Sequence, residues 1–424
     1  MLTKTAEIFG TVTAGTLMVF GLYATGKTRF LPVRAFPAAF RQIKGSKDPR
    51  RTVSPFKAFA TSLGGTIGVG NLTGVSLALA SGGAGAVFWM WVSAFVCMTV
   101  KYFEIFLAVK YQPERETNYG FGSLCYVKKA LKSNAFSGLF ALFGLLSALM
   151  MGSMIQTNAA ANCAKETFGL PPAVVGLLFT LAAGAVLGGG VKRIMGLTEK
   201  AVPLLGGLFL TVAVTVIGLH FSRIPSAFRQ IFQGALSFRS AAGGFLGTGI
   251  AAAFRAGVSN GLFSHEAGLG SAGLAHGACG AKPEEQGLWG IFEVFADTVV
   301  ISTLSALMLL TTEKTGSVTE AAGKALGPVG EAVTALCLIS FAFLSVVSWS
   351  CYGETCFVWL CGRKSVLAYR ILFLLTPLPA AFLTESTLWR TSEAVNAMMM
   401  LLNLAALTVF RGELQGIGKI SFRK

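Results

Sequence analysis

Charge is what this sequence has least of. Only 13% of its 424 residues are charged, against roughly 25% in a soluble domain, so most of its surface does not face water. Acidic side chains are scarcer still, 19 against 35 basic ones. That scarcity, with no repeated filter motif, argues against a channel lined by an acidic ring. Only three histidines are present, His220, His265 and His276, and none completes a metal-ligand spacing. His265-Glu266 opens like a zinc-protease motif, but position 269 is Leu and the pattern fails. The eight cysteines include no C-x-x-C pair and no disulfide framework. Most lie within apolar runs, where cysteine behaves as a small hydrophobe. Ser264-His265-Glu266 is the one catalytic-looking triplet, and adjacent residues on one loop do not form a triad. The sequence is not that of an enzyme.

What is abundant is apolar sequence in long runs. Hydrophobic residues make up 53% of the chain and the mean hydropathy is +0.66, and runs of about 20 apolar residues are membrane-spanning helices. Eleven spans are expected, at 8–25, 54–80, 84–109, 136–164, 171–190, 201–219, 240–260, 286–311, 329–361, 367–383 and 392–410. The fold class is therefore all-α, a polytopic membrane protein. The first span follows Lys4 as a signal peptide would, but eight basic residues at 27–51 suit a retained helix with its C-terminal end held inside. With the N-terminus outside, internal segments carry 24 Lys and Arg and external ones 8, the asymmetry that sets topology. The basic tail 411–424 then lies in the cytoplasm of a bacterial cell, beneath its inner membrane. The net charge of +16 sits between apolar runs, a topology signal and not a nucleic-acid groove.

Two spans are interrupted by glycine. The second contains Gly64, Gly65, Gly68 and Gly70, and the seventh Gly243, Gly244, Gly247 and Gly249. Each glycine costs a helix up to about 1 kcal/mol relative to alanine. Such runs serve either close helix packing or a deliberate break. With the first span set aside, the other ten form two sets of five, each headed by a glycine-broken helix. An odd set size inverts the second relative to the first. Paired broken helices in inverted repeats mark a transporter with its site at the midplane. There, freed N–H groups attract a carboxylate and freed carbonyls hold a small cation. The division expected is an extra helix with a basic loop (1–53), a first repeat (54–219), a second repeat (240–410) and the tail.

Several stretches are similar to the alanine/glycine:cation symporter family. They are Thr61-Ser62-Leu63 through Asn71-Leu72-Thr73-Gly74-Val75, Gly85-Ala86-Val87-Phe88-Trp89-Met90-Trp91, and Gly257-Val258-Ser259-Asn260-Gly261-Leu262-Phe263-Ser264-His265-Glu266-Ala267-Gly268-Leu269-Gly270-Ser271-Ala272. Gly189-Gly190-Val191-Lys192-Arg193-Ile194 and Trp349-Ser350-Cys351-Tyr352-Gly353-Glu354 fit as well. The resemblance spans about residues 20–410 and implies a LeuT-like fold and symport of a small neutral amino acid, alanine or glycine, with sodium as co-transported ion. It implies that the N–H groups near Val69 and Gly70 receive the substrate carboxylate, aided by Asn71, and that Gln156, Ser345 and Trp349 line the pocket, with Phe245 and Thr248 transferred by position. The sodium set it implies is the carbonyls of Gly64 and Ile67 with the Ser345 hydroxyl, helped by Thr66.

Each has a structural alternative. Gln156 is either a substrate contact or interhelical glue, Asn71 also suits a helix cap, and a tryptophan such as Trp349 can belong to an interfacial belt. The chain departs from the family pattern at Val69, at Leu344 where a hydroxyl residue usually precedes Ser345, and at His265. Leu344 removes a possible sodium ligand, so proton coupling is the rival mechanism. Among intramembrane charges, Lys101 and Glu104 lie one turn apart and suit a mutual pair. Glu293 and Asp297 share a face, and Asp297 is expected either to pair with Arg255 or to bind a proton.

Overall fold

Apolar runs bounded by glycine, proline and capping hydroxyls give a chain of helices, with no strand among the described residues. The computed structural model describes residues 2–45, 53–113, 119, 121–236, 246–313 and 316–422, and side chains for all of these except 2–9, 43–45 and 246–248. A first helix α1 (Leu2–Lys27) leads into a basic amphipathic helix α2 (Leu31–Gly45). Then come α3 (Pro55–Thr66), α4 (Val69–Gly82), α5 (Gly85–Lys110), α6 (Gly122–Leu131), α7 (Asn134–Phe168), α8 (Pro172–Leu187) and α9 (Gly190–Leu219). The second half holds α10 (Ile224–Leu236), α11 (Leu246–His265), α12 (Ser271–His276), α13 (Pro283–Thr312), α14 (Val318–Cys361), α15 (Val366–Leu374) and α16 (Glu385–Val409).

Seven stretches among the described residues are long and apolar enough to cross a membrane: α3 with α4, α5, α7, α9, α13, α14, and α16 with the tail to Lys419. The other four expected spans fall on α1, on the 16-residue α8, on α11, and on α15 with the turn Pro377–Ala380. Helix α14 is two helices joined at Gly327, whose φ of 70° precedes Pro328. A left-handed glycine followed by a proline without an N–H is a strong stop, and the apolar span begins just beyond it.

The break in the second span arises locally. Ser54 caps α3 by accepting the Lys57 N–H, with Pro55 in the first turn, a favoured start for a helix. The helix ends after Thr66, where Ile67 turns extended (φ −72°, ψ 98°). Helix α4 restarts at Val69, and the Asn71 side chain accepts the Gly68 N–H at 3.2 Å. Around this break, α3 packs on α9, α14 and α12, while α4 packs on α11, α13 and α14.

The glycine run of the seventh span is described only in part. Helix α11 runs unbroken through Gly247 and Gly249 to His265, and Gly243, Gly244 and Phe245 lie outside the described residues. The chain leaves helical geometry at Glu266–Gly270, with positive φ at Glu266 (53°), Gly268 (92°) and Gly270 (77°), before α12 resumes. Two glycines in left-handed positions end the helix more decisively than glycines that keep helical angles.

Candidate functional site

The two breaks and two wide turns converge. Helix α7 widens to π geometry at Ala148–Ile155, immediately before Gln156, and α13 does so at Phe295–Ser302, which contains Asp297. Such insertions shift the side chains that follow and concentrate at functional sites. Both wide turns send a polar side chain to the break at Gly68.

Val69 donates its N–H to Oε1 of Gln156 at 3.2 Å. Ser345 of α14 donates its hydroxyl to the carbonyl of Gly64 at 3.1 Å and to that of Ile67 at 3.4 Å. Gly68 lies between these two side chains. A Cβ there would stand 2.6 Å from Ser345 Oγ and 2.7 Å from Gln156 Oε1, so only glycine fits. Val69, Gln156, Ser345, Gly64 and Ile67 are thus brought together as the sequence suggests. Thr66 is not in the set, because its hydroxyl turns back to the Leu63 carbonyl at 3.1 Å. Gly70 packs against Phe263 and Ser264, whose atoms a Cβ would meet at 3.3–3.4 Å. Thr248 is described only as backbone in the first turn of α11, and Phe245 lies outside the described residues.

Asn71 anchors the other side. Its amide nitrogen stands 2.8 Å from Asp297 Oδ1, 3.0 Å from the Asp297 carbonyl, 2.9 Å from Ser264 Oγ and 3.2 Å from Ser302 Oγ. Oδ2 of Asp297 accepts the hydroxyls of Ser264 at 2.7 Å and Thr298 at 2.8 Å. Asp297 is fully buried, and these donors are all neutral. Its expected pairing with Arg255 is not made, since Arg255 is exposed on α11.

Trp349, one turn beyond Ser345, is fully buried and not an interfacial residue. Its side chain lies against Gly152, where an added Cβ would stand 2.2 Å from the Trp349 Cβ and 2.4 Å from the ring Cγ, and its indole N–H donates to Glu266 Oε1 at 3.0 Å. Glu266 is held in turn by the Ser271 hydroxyl at 2.9 Å, so Trp349 ties α14 to the second break.

Beyond Asp297 along α13 lies a second polar cluster. Glu293 accepts the Ser62 hydroxyl at 2.9 Å, pairs with Lys101 at 3.6 Å, and lies 2.6 Å from His276 Nε2. The ammonium of Lys101 also donates to the His265 carbonyl at 2.9 Å. Glu104 accepts the Gly270 N–H at 2.9 Å and the Asn403 amide. Lys101 and Glu104 therefore do not pair with each other, as their spacing suggested, but each holds one edge of the second break. A buried charge needs such partners, because its desolvation is costly. Ser264, Glu266 and Ser302 were not singled out as site residues from the sequence. The first two lie inside the motif Gly257–Ala272, which was the available signal.

The sequence as a whole matches a family described as the sodium:alanine symporter family over residues 2–418. The chain belongs to that family. It is 34% identical over 416 residues to the sodium/alanine symporter AgcS of Methanococcus maripaludis, covering 93% of this chain and 91% of that one. It is 35% identical over 407 residues to an uncharacterized transporter of Haemophilus influenzae, covering 92% and 89%. The crystal structure of MhsT in complex with L-phenylalanine superposes with a TM-score of 0.61 at 13% identity, over 86% of this chain and 96% of that one. At that identity the likeness shows the fold, which is LeuT-like. The family member is a multi-pass transporter and not an enzyme.

Proposed function

We propose that this protein carries a small neutral amino acid, alanine or glycine, together with sodium, by alternating access at the break between α3 and α4. The observation that carries the reading is the Ser345 hydroxyl against the carbonyls of Gly64 and Ile67, with the N–H groups of Val69 and Gly70 two and three residues beyond Ile67. Hard oxygen ligands suit an alkali cation, and N–H groups at a helix start suit a carboxylate. The cation set and carboxylate set share one broken loop, so each ligand raises the affinity for the other, and the coupling is reciprocal. The sodium/alanine symporter named above supports alanine as the first substrate to try. Two five-helix halves, 54–219 and 240–410, would move around this loop, with the N-terminus outside and the tail 411–424 in the cytoplasm of a bacterial cell, as the basic asymmetry favours. The test is uptake of labelled alanine and glycine by the reconstituted protein, with sodium and proton gradients imposed separately. Sodium-driven accumulation supports the reading, and uptake indifferent to sodium rejects it.

One observation favours a second reading. The Asp297 carboxylate is fully buried among neutral donors and touches Asn71 of the same loop, the setting of a proton carrier. Uptake driven by a proton gradient alone would select it.

A further inference from the structure

Where α5 ends and α7 begins, a cavity of about 590 Å³ is lined by Lys128, Lys129, Lys132, Asn134, Pro113 and Trp359, among others. The three lysines lie on and just beyond the last turn of α6 and are exposed. Among the described residues, no carboxylate lines the cavity or pairs with any of them. Lys110 close by is paired with Glu413 at 2.6 Å. Lys129 rests on the Tyr111 ring, 4.3 Å from its centroid, a contact that holds an ammonium without neutralising it. Lys132 has a left-handed backbone, φ 50°, where glycine is the ordinary residue, so what lysine adds there is its charge. Ser133 caps the next helix by accepting the Ala135 N–H at 3.1 Å, and the positive end of α7 meets the same space. A groove leads away from it along the bundle. Asn134, Gly138 and Leu142 are four residues apart on α7 and share a face. Gly138 has no side chain to close the gap to α14, and a Cβ there would touch only Leu360 among the described residues, at 3.9 Å. Leu142 and Leu360 are 41% and 40% exposed, so both walls of the groove are apolar.

We propose that this cavity and groove bind one anionic phospholipid, its phosphodiester among the three lysines and an acyl chain along Gly138. Each ammonium offers three donors and no acceptor, which suits phosphate oxygens. Basic pockets between spanning helices take such headgroups, and Trp359 supplies the amphipathic ring that sits at headgroup depth. Free phosphate satisfies the lysines but leaves the apolar groove empty, so the lipid is the occupant that uses both. On the topology proposed above, the site lies in the cytoplasmic leaflet. The lipid there spans α7, which carries Gln156, and α14, which carries Ser345 and Trp349, and so bridges the two proposed halves of the bundle.

The test uses the purified full-length protein in a neutral detergent, with phosphatidylglycerol carrying a fluorescent acyl chain as the probe and its polarisation as the readout. It reads binding directly and stands whether or not the chain moves alanine. Unlabelled phosphatidylglycerol is expected to displace the probe, and phosphatidylcholine with the same chains is not. Each lysine at an anionic headgroup is worth roughly fivefold in binding. Lys132→Gly should cost that much while the thermal midpoint holds or rises, since glycine suits the left-handed backbone. Lys128→Gln with Lys129→Gln and Lys132→Gln should weaken binding roughly a hundredfold. Lys192→Gln with Arg193→Gln and Lys200→Gln removes the same charge from exposed positions on α9 and should leave binding unchanged. Gly138→Leu fills the groove and should weaken the probe with all three lysines in place. Equal losses in the two triple variants would reduce the effect to net surface charge and overturn the site. Unchanged binding in the first triple variant or in Gly138→Leu would also overturn it. So would displacement of the probe by inorganic phosphate beyond that by chloride at equal ionic strength, which marks a site for a free anion.

Discussion

The amide of Asn71 and the carboxylate of Asp297 stand 2.8 Å apart, which ties the restart of the broken second span to the wide turn of α13. The same amide reaches the Asp297 carbonyl and Ser264, so three segments meet at one side chain. Asp297→Asn keeps the size but replaces one acceptor oxygen by a donor, which then faces the Asn71 amide or the hydroxyls of Ser264 and Thr298. Under sodium coupling we expect slower uptake that still depends on sodium. Under proton coupling, gradient-driven uptake stops while alanine exchange continues, and replacing sodium by choline changes nothing. Parallel uptake and exchange assays separate these outcomes.

Gly68→Ala should abolish substrate binding. The new methyl would meet Ser345 Oγ at 2.6 Å and Gln156 Oε1 at 2.7 Å, and overpacking of this kind costs about 1–3 kcal/mol. It also prises apart the two side chains that hold the loop. Gly74→Ala, six residues on in α4, is the control, because its Cβ would make an ordinary 3.6 Å contact with Asn260. Alanine binding to the purified proteins should be lost in the first and retained in the second. Binding retained by Gly68→Ala would mean that the loop does not need its close approach.

Lys101→Met should destabilise the protein by about 3–5 kcal/mol, the cost of stripping a buried carboxylate of its cation. Glu293 would keep the Ser62 hydroxyl and His276, but no ammonium. Lys101→Met with Glu293→Gln removes the unpaired charge and should recover much of the loss. Thermal unfolding of the two variants in detergent measures the difference, and equal midpoints would show that the pair contributes nothing.

Much of this architecture was legible in the sequence, for reasons that also mark the limits. Apolar length fixes where helices lie, and the run Gly64–Asn71 marks the first break because its glycines sit where helix α3 actually ends. Half of the run Gly243–Gly249 lies outside the described residues, and glycine composition does not distinguish Gly247 and Gly249, kept in a helix, from Gly268 and Gly270, whose positive φ ends one. Wide turns leave no composition signal, so the delivery of Gln156 and Asp297 to the same loop was invisible. Lys101 chose Glu293 over its neighbour Glu104 because helix α13 packs on α5, a tertiary fact that local spacing cannot contain.

Gln156→Ala tests the two roles left open for that amide. Its oxygen accepts the Val69 N–H, the group proposed to receive the substrate carboxylate, so the carboxylate must compete with Gln156 or share the donor. We expect substrate affinity to fall by roughly three- to tenfold, about the worth of one hydrogen bond, with folded yield near normal. Aggregation with unchanged affinity in the folded fraction would make Gln156 structural glue.

The driving ion is where this chain departs most from its family. Leu344 is buried beside Ser345 where a hydroxyl residue usually stands, which leaves the Gly64 and Ile67 carbonyls and the Ser345 hydroxyl as the assembled oxygens. Removing one hard ligand weakens cation binding without abolishing it, since the remaining oxygens keep their geometry. We expect sodium-coupled uptake with a high half-saturating sodium concentration, lowered several-fold by Leu344→Thr if the new hydroxyl joins the set. Leu344→Val, which loses a methylene and gains no oxygen, controls for the repacking, at a cost of about 1 kcal/mol. If both variants respond alike, the oxygen is not the cause. Uptake that runs equally well in choline buffer, with an imposed proton gradient as its only drive, would reject the sodium assignment altogether.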